Sequence, residues 1–151
     1  MVMASDERIH QLPVLPCTCA NLRRAARAAS QLYDRHLRGA GINVAQFTLL
    51  QMLSRVGPIS QGALGKRLSL DSTTLSRTLR PLEARKWIRS QPGKDRRQRH
   101  LVLTPSGQAQ FERSVPFWER AQQALGAAAP GDGLKAMLVE LTVLAEIARR
   151  K

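Results

Sequence analysis

Lys94, Arg96, Arg97 and Arg99 crowd six consecutive positions, with Asp95 among them. Cations this dense can neutralise and contact a polyanion, and Asp95 can orient Arg97 through a charge-assisted hydrogen bond before a partner arrives. Upstream lie Ser72, Thr73, Thr74, Ser76, Arg77 and Arg80. Small hydroxyl groups at a helix N-terminus can donate to phosphate beside the backbone N–H groups already pointing there, and the two arginines reach about one turn further along. Taken singly, the basic run also suits a solvated turn, and the hydroxyls also suit local backbone partners. No Gly-rich phosphate loop, paired carboxylates or Ser/His/Asp arrangement occurs, and His10, His36 and His100 have no ligand spacing. The chemistry on offer is binding rather than catalysis, with no cofactor and no metal site expected.

Charge composition supports a polyanionic partner. The chain of 151 residues carries 24 Lys+Arg against 11 Asp+Glu, a formal net charge of +13. Such an excess repels itself in a compact domain unless something anionic is bound, and nucleic acid is the commonest candidate. Residues 71–100 hold nine of the cations and three of the anions, whereas residues 101–151 are nearly balanced at six against five. With aromatics at 4%, a platform for stacking single-stranded bases is poorly supplied, and duplex fits better. Apolar residues at 43% allow a core. No apolar run is long enough to span a membrane, and the first dozen residues lack the pattern of a secretory signal. Two cysteines cannot staple a secreted scaffold, so a cytoplasmic location is expected.

The elements needed to position these groups are legible in the periodicity. Leu22, Ala25/Ala26, Ala29, Leu32/Tyr33 and Leu37 mark one helical stripe, closed by Gly39 and Gly41. A second helix runs from about 44 to 54. A short third one within 59–68, capped by Ser60, is separated by Ser69-Leu70-Asp71 from a fourth over 72–85, with Asp71 as its N-cap. Two short helices so joined form a helix-turn-helix, although Pro81 should bend the second near Arg77. Leu75, Leu79 and Leu82 face inward. Residues 87–91 and 99–104 read as strands around a cationic loop, which makes a wing over 87–104. Two long helices close the chain. Phe111, Val115, Trp118 and Leu125 share a face of the first, where Pro116 predicts a kink. Leu134, Met137, Leu138, Leu141, Leu144, Ala145 and Ala148 recur along the second at coiled-coil-like spacing. The fold class expected is mainly α with a small β-wing: one domain over 1–151, with a winged helix-turn-helix lobe at 43–104. Long N- and C-terminal dimerisation helices at 17–41 and 105–150 give a twofold-symmetric homodimer.

Residues 59–107 resemble the winged helix of the MarR family of bacterial transcriptional regulators. The resemblance is carried by Thr73-Thr74-Leu75-Ser76-Arg77 with Leu82-Glu83, then Asp95-Arg96-Arg97, then Leu103-Thr104-Pro105-Ser106-Gly107. The flanking helices match the family plan, so the likeness extends over nearly the whole chain. It implies dimeric binding to pseudo-palindromic duplex DNA, usually as a repressor released by a small molecule or an oxidant. It also implies that Arg97 enters the minor groove with Asp95 bracing it. One departure stands out: Lys86 occupies a position where family members usually have Gly, and a left-handed conformation costs more there without it.

Two further sites concern control. If Thr18 caps the first helix, Cys19 lies in its first turn, where the helix dipole and Arg23 favour thiolate. Cys17 and Cys19 then suit a redox or soft-metal sensor acting by disulfide formation or thiolate ligation, or else serve as small apolar residues. Tyr33, Phe47 and Trp118 are candidate walls of a pocket for a small aromatic effector, with core packing the competing role for Phe47. The function expected is sequence-specific regulation of transcription on a duplex operator. The alternative is a nonspecific architectural, nucleoid-type DNA protein.

Overall fold

A computed structural model describes residues 13–93, 99–129 and 131–149, with only the backbone at 149. The chain divides into two compact units, Met1–Gln31 and Leu32–Lys151. In the first, Asn21 holds the segment that leads into helix α1 (Thr18–Leu37). Its side chain accepts from Leu15 N–H at 3.0 Å and donates to the Leu15 carbonyl at 2.7 Å, while Arg24 donates to the Pro13 carbonyl at 2.9 Å. The Cys17 carbonyl accepts from Asn21 N–H at 3.2 Å, the first bond of the helical ladder. Cys17 therefore occupies the capping position, one residue earlier than the expected Thr18, and Cys19 is the second residue of the helix.

The second unit contains the end of α1, a 3-10 turn over Arg38–Ala40, α2 (Val44–Val56), β1 (Ile59–Ser60), α3 (Gln61–Leu68), α4 (Ser72–Ala84), β2 (Ile88–Pro92), β3 (Arg99–Leu103), α5 (Pro105–Ala127) and α6 (Gly133–Arg149). Local signals fix most boundaries. Gly41, with φ of 73°, ends the turn after α1. Asn43 and Gln46 form a reciprocal capping box at α2. Ser60 accepts from Ala63 N–H, Asp71 from Thr74 N–H and Thr104 from Gly107 N–H, so each caps the helix that follows.

One expectation needs correction. Ile59–Ser60 is not helical: it pairs antiparallel with Leu101 and His100, so the sheet has three strands in the order β1-β3-β2. Two residues are too short a strand for alternation to reveal. Both proline-containing helices are continuous, α4 through Pro81 to Ala84 and α5 through Pro116 to Ala127. Leu79 and Leu82 flank Pro81 and are buried, so apolar packing offsets the lost backbone bond.

The core places α4. Leu75, Leu79 and Leu82 point inward as expected and join Phe47, Leu50, Leu53, Leu64, Ile88 and Leu101 in one cluster. The opposite face of α4 is left outward. Lys86 then turns the chain into the wing at a φ of 58°, so the left-handed conformation is kept despite the missing glycine. Lys86→Gly should raise stability by about 1 kcal/mol, because only the non-glycine residue carries that steric cost. Urea denaturation reads the change as a higher midpoint, and an unchanged or lower midpoint would contradict it.

Candidate nucleic-acid interface

The outward face of α4 is polar and cationic. Ser72, Thr73, Ser76, Arg77 and Arg80 line one open recess of about 410 Å³. Arg77 and Arg80 are exposed, and neither guanidinium has an ion-pair partner among the described residues. Five of the six α4 residues expected to bind thus share one concave surface. Thr74 does not line it. Its hydroxyl donates to Asp71 Oδ2 at 2.6 Å while its N–H donates to Oδ1 at 2.8 Å. Those bonds hold the Asp71 carboxyl below its usual range. Thr74 therefore acts here as a capping partner of Asp71.

Sequence reasoning missed Gln61. From the first turn of α3 its Nε2 donates to Ser76 Oγ at 2.9 Å and ties the two helices of the motif together beside the recess. No sequence pattern marks such a contact, because it depends on where α3 crosses α4.

The wing is built as expected at its base. Strands β2 and β3 pair from Ile88↔Leu103 to Pro92↔Arg99. Arg99 is held from within the wing. Its Nε donates to Ser90 Oγ at 2.8 Å and its Nη2 reaches the Ser90 carbonyl at 3.4 Å, so the side chain fastens one strand to the other. Lys94, Asp95, Arg96 and Arg97 lie outside the described residues.

Of the candidate control residues, Cys17 and Cys19 are both exposed and unbridged. Phe47 is 1% exposed, stacked on Trp118 at 5.6 Å between ring centroids and tilted against Phe111 at 5.5 Å. This packing makes Phe47 a core residue. The Tyr33 hydroxyl donates to Gln122 Oε1 of α5, and burial pushes its phenol above the usual range. Among the described residues no group of three or more metal-ligating side chains is assembled, and no helix is long and apolar enough to cross a membrane.

Comparison with known proteins agrees with this architecture. The MarR family model matches residues 42–98, the stretch from just before α2 to the wing loop. The transcriptional regulator MosR of M. tuberculosis, solved in complex with DNA, is 31% identical over 88% of this chain and 98% of its own, with a TM-score of 0.76. BpsR of Bordetella bronchiseptica, whose DNA binding is regulated by 6-hydroxynicotinic acid, is 25% identical over 89% of this chain and 99% of its own, also at 0.76. The HTH-type transcriptional regulator YwoH of Bacillus subtilis is 26% identical over 91 residues, 60% of this chain; the match spans 66% of that relative's length. On the family-model match, the near-complete overlap with MosR and the helix-turn-helix followed by a wing, the chain belongs to the MarR family.

Proposed function

We propose that this chain is a sequence-specific, duplex-DNA-binding regulator of transcription that works as a homodimer in the cytoplasm, by binding rather than catalysis. The observation that carries the reading is the α4 face, where two guanidinium groups with no ion-pair partner among the described residues and three hydroxyls line one open recess. A helix presenting such groups away from its own core is built to enter a major groove. Arg77 and Arg80 reach base edges or phosphates, and the hydroxyl groups of Ser72 and Thr73 meet phosphate. Similarity to DNA-bound MosR supports the same assignment.

The wing extends the contact. Lys94 and Arg96 bring charge to the backbone, and Arg97, oriented by Asp95, enters the flanking minor groove, where narrow A·T-rich tracts concentrate negative potential. Arg97→Ala should weaken binding to the preferred duplex by about 1–3 kcal/mol, as read by fluorescence anisotropy at fixed salt. Wild-type affinity in that variant would remove Arg97 from the interface.

The partner that completes the protein is a second copy of itself. Along α6, Met137, Leu138, Val139, Leu141, Val143, Leu144 and Ile147 are all exposed, with Leu138 at 55% and Ile147 at 60%. A helix this apolar is stable in water only when covered, and an isologous pairing covers two such helices at once. Release from DNA is by a small effector, as the similarity to BpsR suggests, or by chemistry at the exposed Cys17 and Cys19.

Selecting bound fragments from random duplex DNA, with and without a thiol oxidant, tests these points together. A pseudo-palindromic consensus is expected, with its yield reduced by oxidant in the wild type but not in a Cys17→Ser/Cys19→Ser variant. An unenriched pool would favour the architectural alternative, and identical oxidant responses would end the thiol mechanism.

A further inference from the structure

Arg85, one residue past α4, is where the chain begins its turn into the wing. Its Nη1 donates to the Gly41 carbonyl at 2.9 Å, and its guanidinium carbon lies 4.7 Å from the centre of the Trp87 ring. The adjacent carbonyl, that of Ala40, accepts from Gln110 Nε2 of α5 at 2.8 Å. Gln110 is 2% exposed and is fixed in turn by Ser114 Oγ and by Arg113, whose Nη2 donates to its Oε1. On the other side, the Lys86 carbonyl accepts from the hydroxyls of Thr104 and Ser106 at 2.7 and 3.0 Å. These bonds close a ring: from Gln110 to the Ala40–Gly41 turn, from the turn to Arg85, and from Arg85 through Lys86 back to the start of α5.

Three bodies joined pairwise cannot turn independently, so the ring fixes the angle between α4 and α5. Its links differ in kind. Gln110 and Ser114 are buried, and an unpaired polar group left there would destabilise the core. Arg85 is exposed and contributes a single charge-assisted bond and a ring contact. Removing it opens the ring while leaving the apolar cluster intact.

We propose that Arg85 is a positioning residue for DNA recognition: by tying the exit of α4 to the Ala40–Gly41 turn, it sets the angle at which the two α4 helices of a dimer meet successive major grooves. This rests on the dimeric DNA-binding reading above. One lobe on a single half-site is indifferent to that angle, whereas a duplex with two half-sites reads it as a spacing.

The test is Arg85→Ala on duplexes derived from the wild-type selection. Affinity for an isolated half-site should stay within about twofold of wild type, and affinity for the full site should fall about tenfold or more. The penalty for adding or removing one base pair between half-sites should shrink, and Arg85→Lys, which keeps a cationic donor, should recover part of the full-site loss. Equal losses on half and full sites would overturn the proposal, because Arg85 would then contact DNA or support the lobe itself. No loss on either would overturn it as well. Amide hydrogen exchange without DNA supplies an independent arm: residues 40–46 and 85–88 should exchange about tenfold faster in Arg85→Ala, with Leu49, Leu50 and Leu53 unchanged. Unaltered exchange at both segments would overturn the clamp, whereas a wild type without preference for any duplex would instead overturn the DNA-binding reading.

Discussion

A variant carrying Leu141→Glu and Leu144→Glu is expected to sediment as a monomer and to bind the selected duplex at least about a hundredfold more weakly than the wild type. Both leucines lie on the apolar stripe of α6, where the side chains of Met137, Leu138 and Ile147 are also left uncovered. Placing four carboxylates at a twofold interface costs the desolvation of each charge and sets like charges against one another. Binding then loses the linkage between lobes. In the dimer, the second lobe meets its half-site at a high effective concentration set by the first, an advantage that free monomers lack. The winged lobe should remain folded, because neither residue belongs to the cluster around Phe47, Leu50 and Leu82. Sedimentation velocity, circular dichroism and anisotropy titration read the three parts separately. A variant that stays dimeric with full affinity would move the dimer interface away from α6.

Gly107→Ala should cost about 3 kcal/mol of stability, at the upper end of what one added methyl group ordinarily does. A β-carbon at Gly107 would stand 2.7 Å from the Trp87 carbonyl carbon and 2.8 Å from Leu103 Cδ1, closer still to the Trp87 oxygen. Neither side can give way cheaply. The Trp87 oxygen already accepts from Thr104 N–H at 3.0 Å, and the Lys86 carbonyl beside it is held by the Thr104 and Ser106 hydroxyls. The first turn of α5 and the exit of the wing are thus packed backbone to backbone, which only glycine permits. Denaturant titration should show the loss in its midpoint, and a midpoint within a few tenths of a molar of wild type would contradict this account of the junction.

Much of this architecture is legible in the sequence because its determinants are local. Asp71 and Ser60 announce their helices through cap chemistry, and Leu75, Leu79 and Leu82 announce the buried face of α4 through their spacing. The motif Leu103-Thr104-Pro105-Ser106-Gly107 carries a cap, a first-turn proline and the close-approach glycine in five residues. What stayed hidden depends on the fold's geometry. The strand Ile59–Ser60 exists only because β3 lies beside it. Thr74 reads as a free donor in sequence, but Asp71 has two oxygens, and the second takes the hydroxyl. Arg99 sits in a basic run, yet across the ladder its nearest acceptors are on Ser90. Phe47 and Trp118 share an aromatic character that suits a ligand wall or a core equally, and their 5.6 Å stack decides for the core. The candidate site follows the same division: α4 supplies the surface that its polar residues promised, and the contacts that aim it, from Gln61 and Arg85, span 15 and 44 residues.

The most direct test of the central claim is a competition titration at one moderate salt concentration. It sets the selected duplex against a shuffled duplex of the same length and base composition. A dimer that reads bases through α4 and the wing should prefer its own site by about a thousandfold or more. Affinities for the two duplexes within a few-fold of each other would show that the cationic surface binds DNA without reading it, and the account would be wrong.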